Sequence, residues 1–250
     1  MPYGRANVTG VSIIVSLYPI PVAKFLKHVL RDGQRHINSA EIKQVGKLRL
    51  SGDKPWMPFQ AQEYISGTAK NFIWEATVPF AKIFKLKIRD SYTSGKASSQ
   101  ISIFSIPISR AENSPELNSG ALMRYLGECV WIPTALLNGN GLLWTEIDDR
   151  TAIASLHNAY TQTSLQFNFN ENNEIGSIST QGRYRMVGKK LELTPWVVRM
   201  QNYKEVQGVL IPFDIQVEWI LPEGRFYWFQ ARLNNVHYKF DETHKVNFTE

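Results

Sequence analysis

The chain has 250 residues, 43% of them hydrophobic and 20% charged, a balance that suits a folded globular protein and excludes disorder along its whole length. Its net charge is +6 with a pI near 9.3, but the basic residues are scattered, which suits a solvated face and argues against a nucleic-acid groove. A single cysteine, Cys129, excludes an internal disulfide, and no apolar run reaches the ~18 residues of a transmembrane helix.

The N-terminal run VTGVSIIVSLYPIPVA after Arg5 loosely resembles a secretion signal, but Pro19 and Pro21 interrupt it, so no cleaved leader is expected. The compartment stays open, with the cytoplasm favoured over export. Pro21 to Leu30 reads as a short amphipathic helix with Val22, Phe25, Leu26 and Val29 on one face, and Gly33 suits a left-handed cap after it. From there the period changes to two. Strands are expected over Ile42–Leu50, Phe59–Ile65, Asn71–Val78, Phe84–Arg89 and Ile101–Ile106, with turns at Ser51–Pro55 and Ser94–Lys96.

Pro115 to Leu137 breaks this pattern. Leu122, Tyr125, Leu126, Cys129 and Val130 recur at spacings of three and four, the mark of one helical face. Asn113 or Ser114 can cap its start, Pro115 suits the first turn and Glu116 the positive end of the dipole. Pro133 disfavours a helical Ile132, so the helix should end or kink there. A second strand block follows: Leu142–Ile147, Thr151–Leu156, Leu165–Phe169, Ile175–Met186, Trp196–Tyr203, Phe213–Trp219, Phe226–Leu233 and Val236–Phe240. The polar tail from Asp241 is expected to fray.

Candidate chemistry is sparse. Cys129 falls on the apolar helix face, where a core thiol is the simpler reading than a nucleophile paired with one of the five histidines. The histidines are dispersed, so neither a metal site nor any other cofactor is expected. Asp148-Asp149-Arg150 beside Glu146 reads as a turn. Asn138-Gly139-Asn140-Gly141 precedes a strand, not a helix, so it lacks the amides of a phosphate loop. Glu128, Tyr125 and Arg124 on the long helix are the candidates for acid–base work, since a carboxylate facing a cavity can have a raised pKa. The aromatics are the stronger signal. Phe72, Trp74, Tyr125, Trp131, Trp144, Trp196, Trp219 and Trp228 are the candidate lining of an apolar pocket, because a curved sheet too wide for its helical plug leaves a void.

The segments KQVGKLRL, WMPFQAQEY, FIWEA, LMRYLGECVWIPTALL, EIDDRTA and YKEVQGVLIPFDIQVEWILPEG resemble a bacterial domain-of-unknown-function family from about Pro19 to Tyr238. That family is itself similar to the LolA/LolB-like lipoprotein carriers, through the pattern of Tyr203 to Trp219. The resemblance implies an unclosed antiparallel β-barrel whose mouth is covered by helices over an apolar cavity. It supplies no catalytic residues, and the lipobox cysteine of lipoproteins has no counterpart here.

The expected protein is mainly β (α+β). It is a single domain over 1–250, an incomplete antiparallel barrel or strongly curved sheet of about ten or eleven strands over 19–240 that wraps a central helix. A short N-terminal helix and peripheral tails at 1–18 and 241–250 complete it. The expected role is non-catalytic binding or carrying of a lipid or other hydrophobic small molecule, with peripheral membrane contact through the basic strand Lys82–Arg89 and no nucleic-acid partner. The alternative is an isomerase, cyclase or hydrolase acting on a hydrophobic molecule in the same cavity.

Overall fold

The computed structural model describes residues 9–79, 84–188 and 190–249; Arg5, Lys82 and Lys189 lie outside them. The first block comprises β1 (Thr9–Ile14), α1 (Ile20–Val29), β2 (Gln34–Leu48), β3 (Met57–Ser66), β4 (Asn71–Pro79), β5 (Lys85–Thr93), β6 (Lys96–Ile103) and β7 (Ile106–Glu112). Then comes α2 (Pro115–Glu128), followed by 3-10 turns at Cys129–Trp131 and Pro133–Leu136. The second block is β8 (Leu142–Asp148), β9 (Thr151–Asn158), β10 (Thr161–Phe169), β11 (Ile175–Val187), β12 (Lys190–Val206), β13 (Val209–Leu221) and β14 (Gly224–Thr249).

β2 to β7 and β8 to β14 are each an antiparallel meander, and the pairing of β2 with β14 joins them into one sheet of order β7-β6-β5-β4-β3-β2-β14-β13-β12-β11-β10-β9-β8. The sheet must curl. From β6 to β10 there are nine strand-to-strand steps, roughly 43 Å if flat at about 4.8 Å per step. Yet α2, a rod only ~10–12 Å wide, touches β5 and β6 on one arm and β9, β10 and β11 on the other. The strands therefore form a half-barrel with α2 on the concave side.

Alternation decides which side chains line that bowl. Phe59, Ala61 and Ile65 of β3, Phe72, Trp74 and Ala76 of β4, and Leu165, Phe167 and Phe169 of β10 are buried, while Gln60, Gln62 and Gln166 between them are exposed. One wet face and one packed face is the usual arrangement for an antiparallel sheet. The helices answer with the faces expected of them: Leu122, Tyr125, Leu126, Cys129 and Val130, and on α1 Val22, Phe25, Leu26 and Val29, are all buried to 2% exposure or less.

Local chemistry sets the helix ends. Ser114, not Asn113, caps α2: its Oγ accepts from the Leu117 amide at 3.1 Å, while Asn113 takes φ +48 just before it. Pro133 forces Ile132 out of the α region, to φ −131 and ψ 61, so the segment finishes as 3-10 turns. At the end of α1 the extended Leu30 is the terminal residue, and Gly33, at φ +74, serves the next turn and not the helix.

The fourteen strands among the described residues exceed those read from the pattern, for local reasons. β7 follows a hairpin at Phe104 and Ser105, both at positive φ, a turn without the glycine, asparagine or aspartate that tolerates that conformation best. β7 also contains Pro107 and is exposed throughout, as an edge strand can be. The tail from Asp241 does not fray. It completes β14, pairing with β2 through Lys245 and Val246 and in parallel with β1 from His244 to Thr249. Val246 is fully buried there.

Candidate functional site

Between the concave face and α2 lies a cavity of about 480 Å³. Its walls include Phe72 and Trp74 from β4, Trp196 and Val198 from β12, and Trp228 and Phe229 from β14, with Trp131 beyond the end of α2. Its roof is the α2 stripe Leu117, Gly120, Ala121, Arg124, Gly127 and Glu128. Gly120 and Gly127 are two helical turns apart on that stripe, and the missing side chains keep the space open. A Cβ at Gly127 would lie 3.9 Å from Leu165 and 4.0 Å from Trp196.

The apolar chamber meets a charged cluster at α2. Arg124 Nε donates to Glu128 Oε1 at 2.6 Å, its Nη1 to Asp90 Oδ2 at 3.1 Å and its Nη2 to Glu63 Oε1 at 3.4 Å. The guanidinium also faces the Phe72 and Trp74 rings at 4.7 and 5.1 Å. Glu63 accepts from Gln44 Nε2 at 2.8 Å, and Gln44 Oε1 accepts from Trp74 Nε1 at 3.0 Å. Ser99 donates to Asp90 at 2.7 Å. The Glu63 side chain has no exposure to solvent. Burial raises its carboxyl well above the usual carboxylate range, the neighbouring Glu128 adds to the rise and Arg124 opposes it. Glu128 Oε2 is buried with no hydrogen-bond partner.

A second basic group faces the chamber. Arg183 of β11 lines it, its guanidinium stacked 4.7 Å from the Trp196 ring centre. The Nη1 atom is buried with no acceptor, and so are the indole Nε1 atoms of Trp196 and Trp228. Burial lowers the Arg183 pKa to about 10, and the charge of Arg124 pushes in the same direction.

Of the residues read from sequence as candidates, Phe72, Trp74, Trp131, Trp196, Trp228, Arg124 and Glu128 come together here. Tyr125 faces a separate cavity of about 470 Å³ across α2, beside Cys129 and Lys70. Its hydroxyl donates to Ser66 O at 3.0 Å, and burial raises its pKa well above the phenolic range. Trp144 packs edge-on against Phe167 at 5.0 Å and donates to Leu136 O at 2.9 Å. Trp219 pairs across the strands with Trp196 and lies under Arg185 at 5.9 Å, outside the chamber lining. Burial raises the Cys129 pKa, so the thiol is a packed core group. The basic strand, described from Lys85 onward, exposes Lys85 and Lys87 and pairs Arg89 with Glu75.

Gln44, Glu63, Asp90 and Arg183 escaped the sequence reading. A signal existed for Glu63: it sits in phase with Phe59, Ala61 and Ile65, so a strand rule that buries those residues buries the carboxyl too. The same holds for Gln44, in phase with Ile42.

The family model of DUF6920 matches residues 17–238. The chain belongs to the DUF6920 family. DUF6920 is described as a family of unknown function, in keeping with the resemblance read from the motifs. No curated protein sequence matches this DUF6920 chain. Solved structures similar to it include a LolA superfamily protein from Nitrosomonas europaea, at 11% identity and TM-score 0.48, covering 88% of this chain and 92% of that one. Another is a putative outer membrane lipoprotein-sorting protein domain from Vibrio parahaemolyticus, at 9% identity and TM-score 0.46, covering 90% and 94%. A third is a DUF1329 family protein from Desulfovibrio piger, at 12% identity and TM-score 0.46, covering 89% and 94%.

Proposed function

We propose that this protein binds or carries a lipid or other hydrophobic small molecule, without catalysis, in the chamber between sheet and α2. The observation that carries the reading is the chamber itself: about 480 Å³, inside the ~300–1,000 Å³ range of small-molecule sites, and walled by Phe72, Trp74, Trp131, Trp196 and Trp228. Burial of apolar ligand surface there would drive affinity at roughly 25 cal/mol per Å² before ordering costs. Leu50, Met186 and Leu191 at the lining are 77%, 60% and 44% exposed, which suits loading from a membrane surface.

Native mass spectrometry of freshly purified protein, with titration of the apolar fluorophore N-phenyl-1-naphthylamine, tests this. The expected result is a co-purified adduct released on denaturation, or saturable fluorophore binding at one site. Absence of both would sink the proposal. The enzyme alternative has one supporting observation: Glu128 lines the chamber beside Glu63, a buried carboxyl whose pKa is raised well above the usual carboxylate range. If it is correct, Glu128→Gln abolishes turnover of a hydrophobic substrate while fluorophore binding persists.

A further inference from the structure

The chamber is apolar, yet three cationic side chains line it: Arg49, Arg124 and Arg183. Their states differ. Arg49 donates to Tyr227 O at 2.7 Å and to Gly52 O at 3.4 Å and stacks on Trp56 and Phe226. Arg124 is surrounded by three carboxyl groups. Arg183 makes no ion pair or hydrogen bond with the described residues, and its Nη1 is buried and bare.

A guanidinium stays charged at physiological pH and has five N–H donors. Leaving one bare in a low-dielectric wall costs free energy unless something else completes it. Stacking on Trp196 satisfies the face of the cation, not its in-plane donors. The unmet hydrogen-bonding groups beside it have the same sense: Trp196 Nε1 and Trp228 Nε1, also lining the chamber, are donors with no acceptor. The exception among the lining atoms is Glu128 Oε2, a buried acceptor with no partner, whose other carboxyl oxygen accepts from Arg124. Asp90 and Glu128 also line the chamber and act on Arg183 through space, but both are paired with Arg124, and neither gives the buried Nη1 of Arg183 an acceptor.

We propose that Arg183 anchors an acidic head group, so that the ligand is an amphiphile with a long apolar tail and a single anionic head, a carboxylate or a phosphate monoester. The tail lies along the aromatic walls and the head accepts from Arg183, with the Trp196 and Trp228 indoles as further donors. The fork of the guanidinium matches two oxygens of either head group. The lowered Arg183 pKa fits a cation waiting for its counter-ion. This rests on the proposed hydrophobic-ligand function and narrows it to a class.

The test measures displacement of N-phenyl-1-naphthylamine at pH 7.5 by dodecanoate, dodecyl phosphate and 1-dodecanol, which share a tail and differ in the head. The wild-type protein should bind one of the two anions about 10- to 100-fold more tightly than the alcohol, the range of a charge-assisted hydrogen bond. Whichever anion wins identifies the head. Arg183→Met should bring that anion to within about three-fold of the alcohol measured on the same variant. Arg183→Lys, which keeps the charge but loses the fork, should fall between. Equal affinity for acid and alcohol in the wild-type protein, or an anion preference that survives in Arg183→Met, overturns the head-group assignment and leaves the apolar chamber standing. No displacement by any of the three, with no fluorophore binding, overturns the function proposal and this inference together.

Discussion

Two glycines in the bowl should respond to the same substitution with opposite signs. Gly127 is inside α2, one residue before its last α-helical position, and an added Cβ would meet Leu165 and Trp196 at 3.9 and 4.0 Å, ordinary contact distances. Alanine there gains about 1 kcal/mol of helix propensity. Burying its methyl against the chamber wall adds about 0.8 kcal/mol, for a total of about 1–2 kcal/mol. At roughly 2–4 °C per kcal/mol for a chain of this size, the melting temperature of Gly127→Ala should rise by about 2–8 °C. Gly46 is the control. It lies in β2 where that strand meets β14, and a Cβ there would fall 2.1 Å from the Gln230 carbonyl oxygen and 2.6 Å from the Phe59 ring. The ring can swing but the β14 backbone cannot, so Gly46→Ala should destabilise by about 1–3 kcal/mol or more. Urea unfolding followed by tryptophan fluorescence, with calorimetry, measures both. A loss of stability in Gly127→Ala would mean that α2 sits closer to the sheet than a methyl allows, and the account of the chamber roof would fail.

Replacing Arg124 by methionine leaves Glu128 and Asp90 facing each other without their cation, and should cost about 3–5 kcal/mol in urea unfolding; unchanged stability would refute the ion cluster. Glu63 gives a pH signature. Its folded pKa lies above the unfolded value near 4.5, so the folded state holds its proton longer. The stability it contributes is full below that unfolded pKa and is lost as pH rises through the folded pKa. Glu63→Gln cannot ionise, so its melting temperature relative to wild type should climb as pH rises from the unfolded value near 4.5 towards the raised folded pKa; a pH-independent difference would refute the raised pKa. Tyr125→Phe removes the buried bond to Ser66 O and should cost about 1 kcal/mol, without changing fluorophore binding in the chamber across the helix.

The sequence by itself determined the local order. Spacings of three and four fixed the buried faces of α1 and α2, alternation fixed the inward rows of β3, β4 and β10, and Pro133 fixed where helix gives way to 3-10 turns, because these follow from backbone geometry within a few residues. Asp148 made the expected turn by accepting from the Arg150 amide at 2.9 Å. The tertiary structure alone decided what depends on distant partners. Curling the sheet put Arg183 over Trp196 and gathered Gln44, Glu63, Asp90 and Arg124 from four separate elements. It also sent Tyr125 and Trp144 elsewhere, though their residue types matched those of the chamber walls. The polar tail became strand because β1 and β2 were there to pair with its backbone, and hydrogen-bond partners supplied from more than 200 residues away in the chain leave no periodic trace in the tail's own sequence.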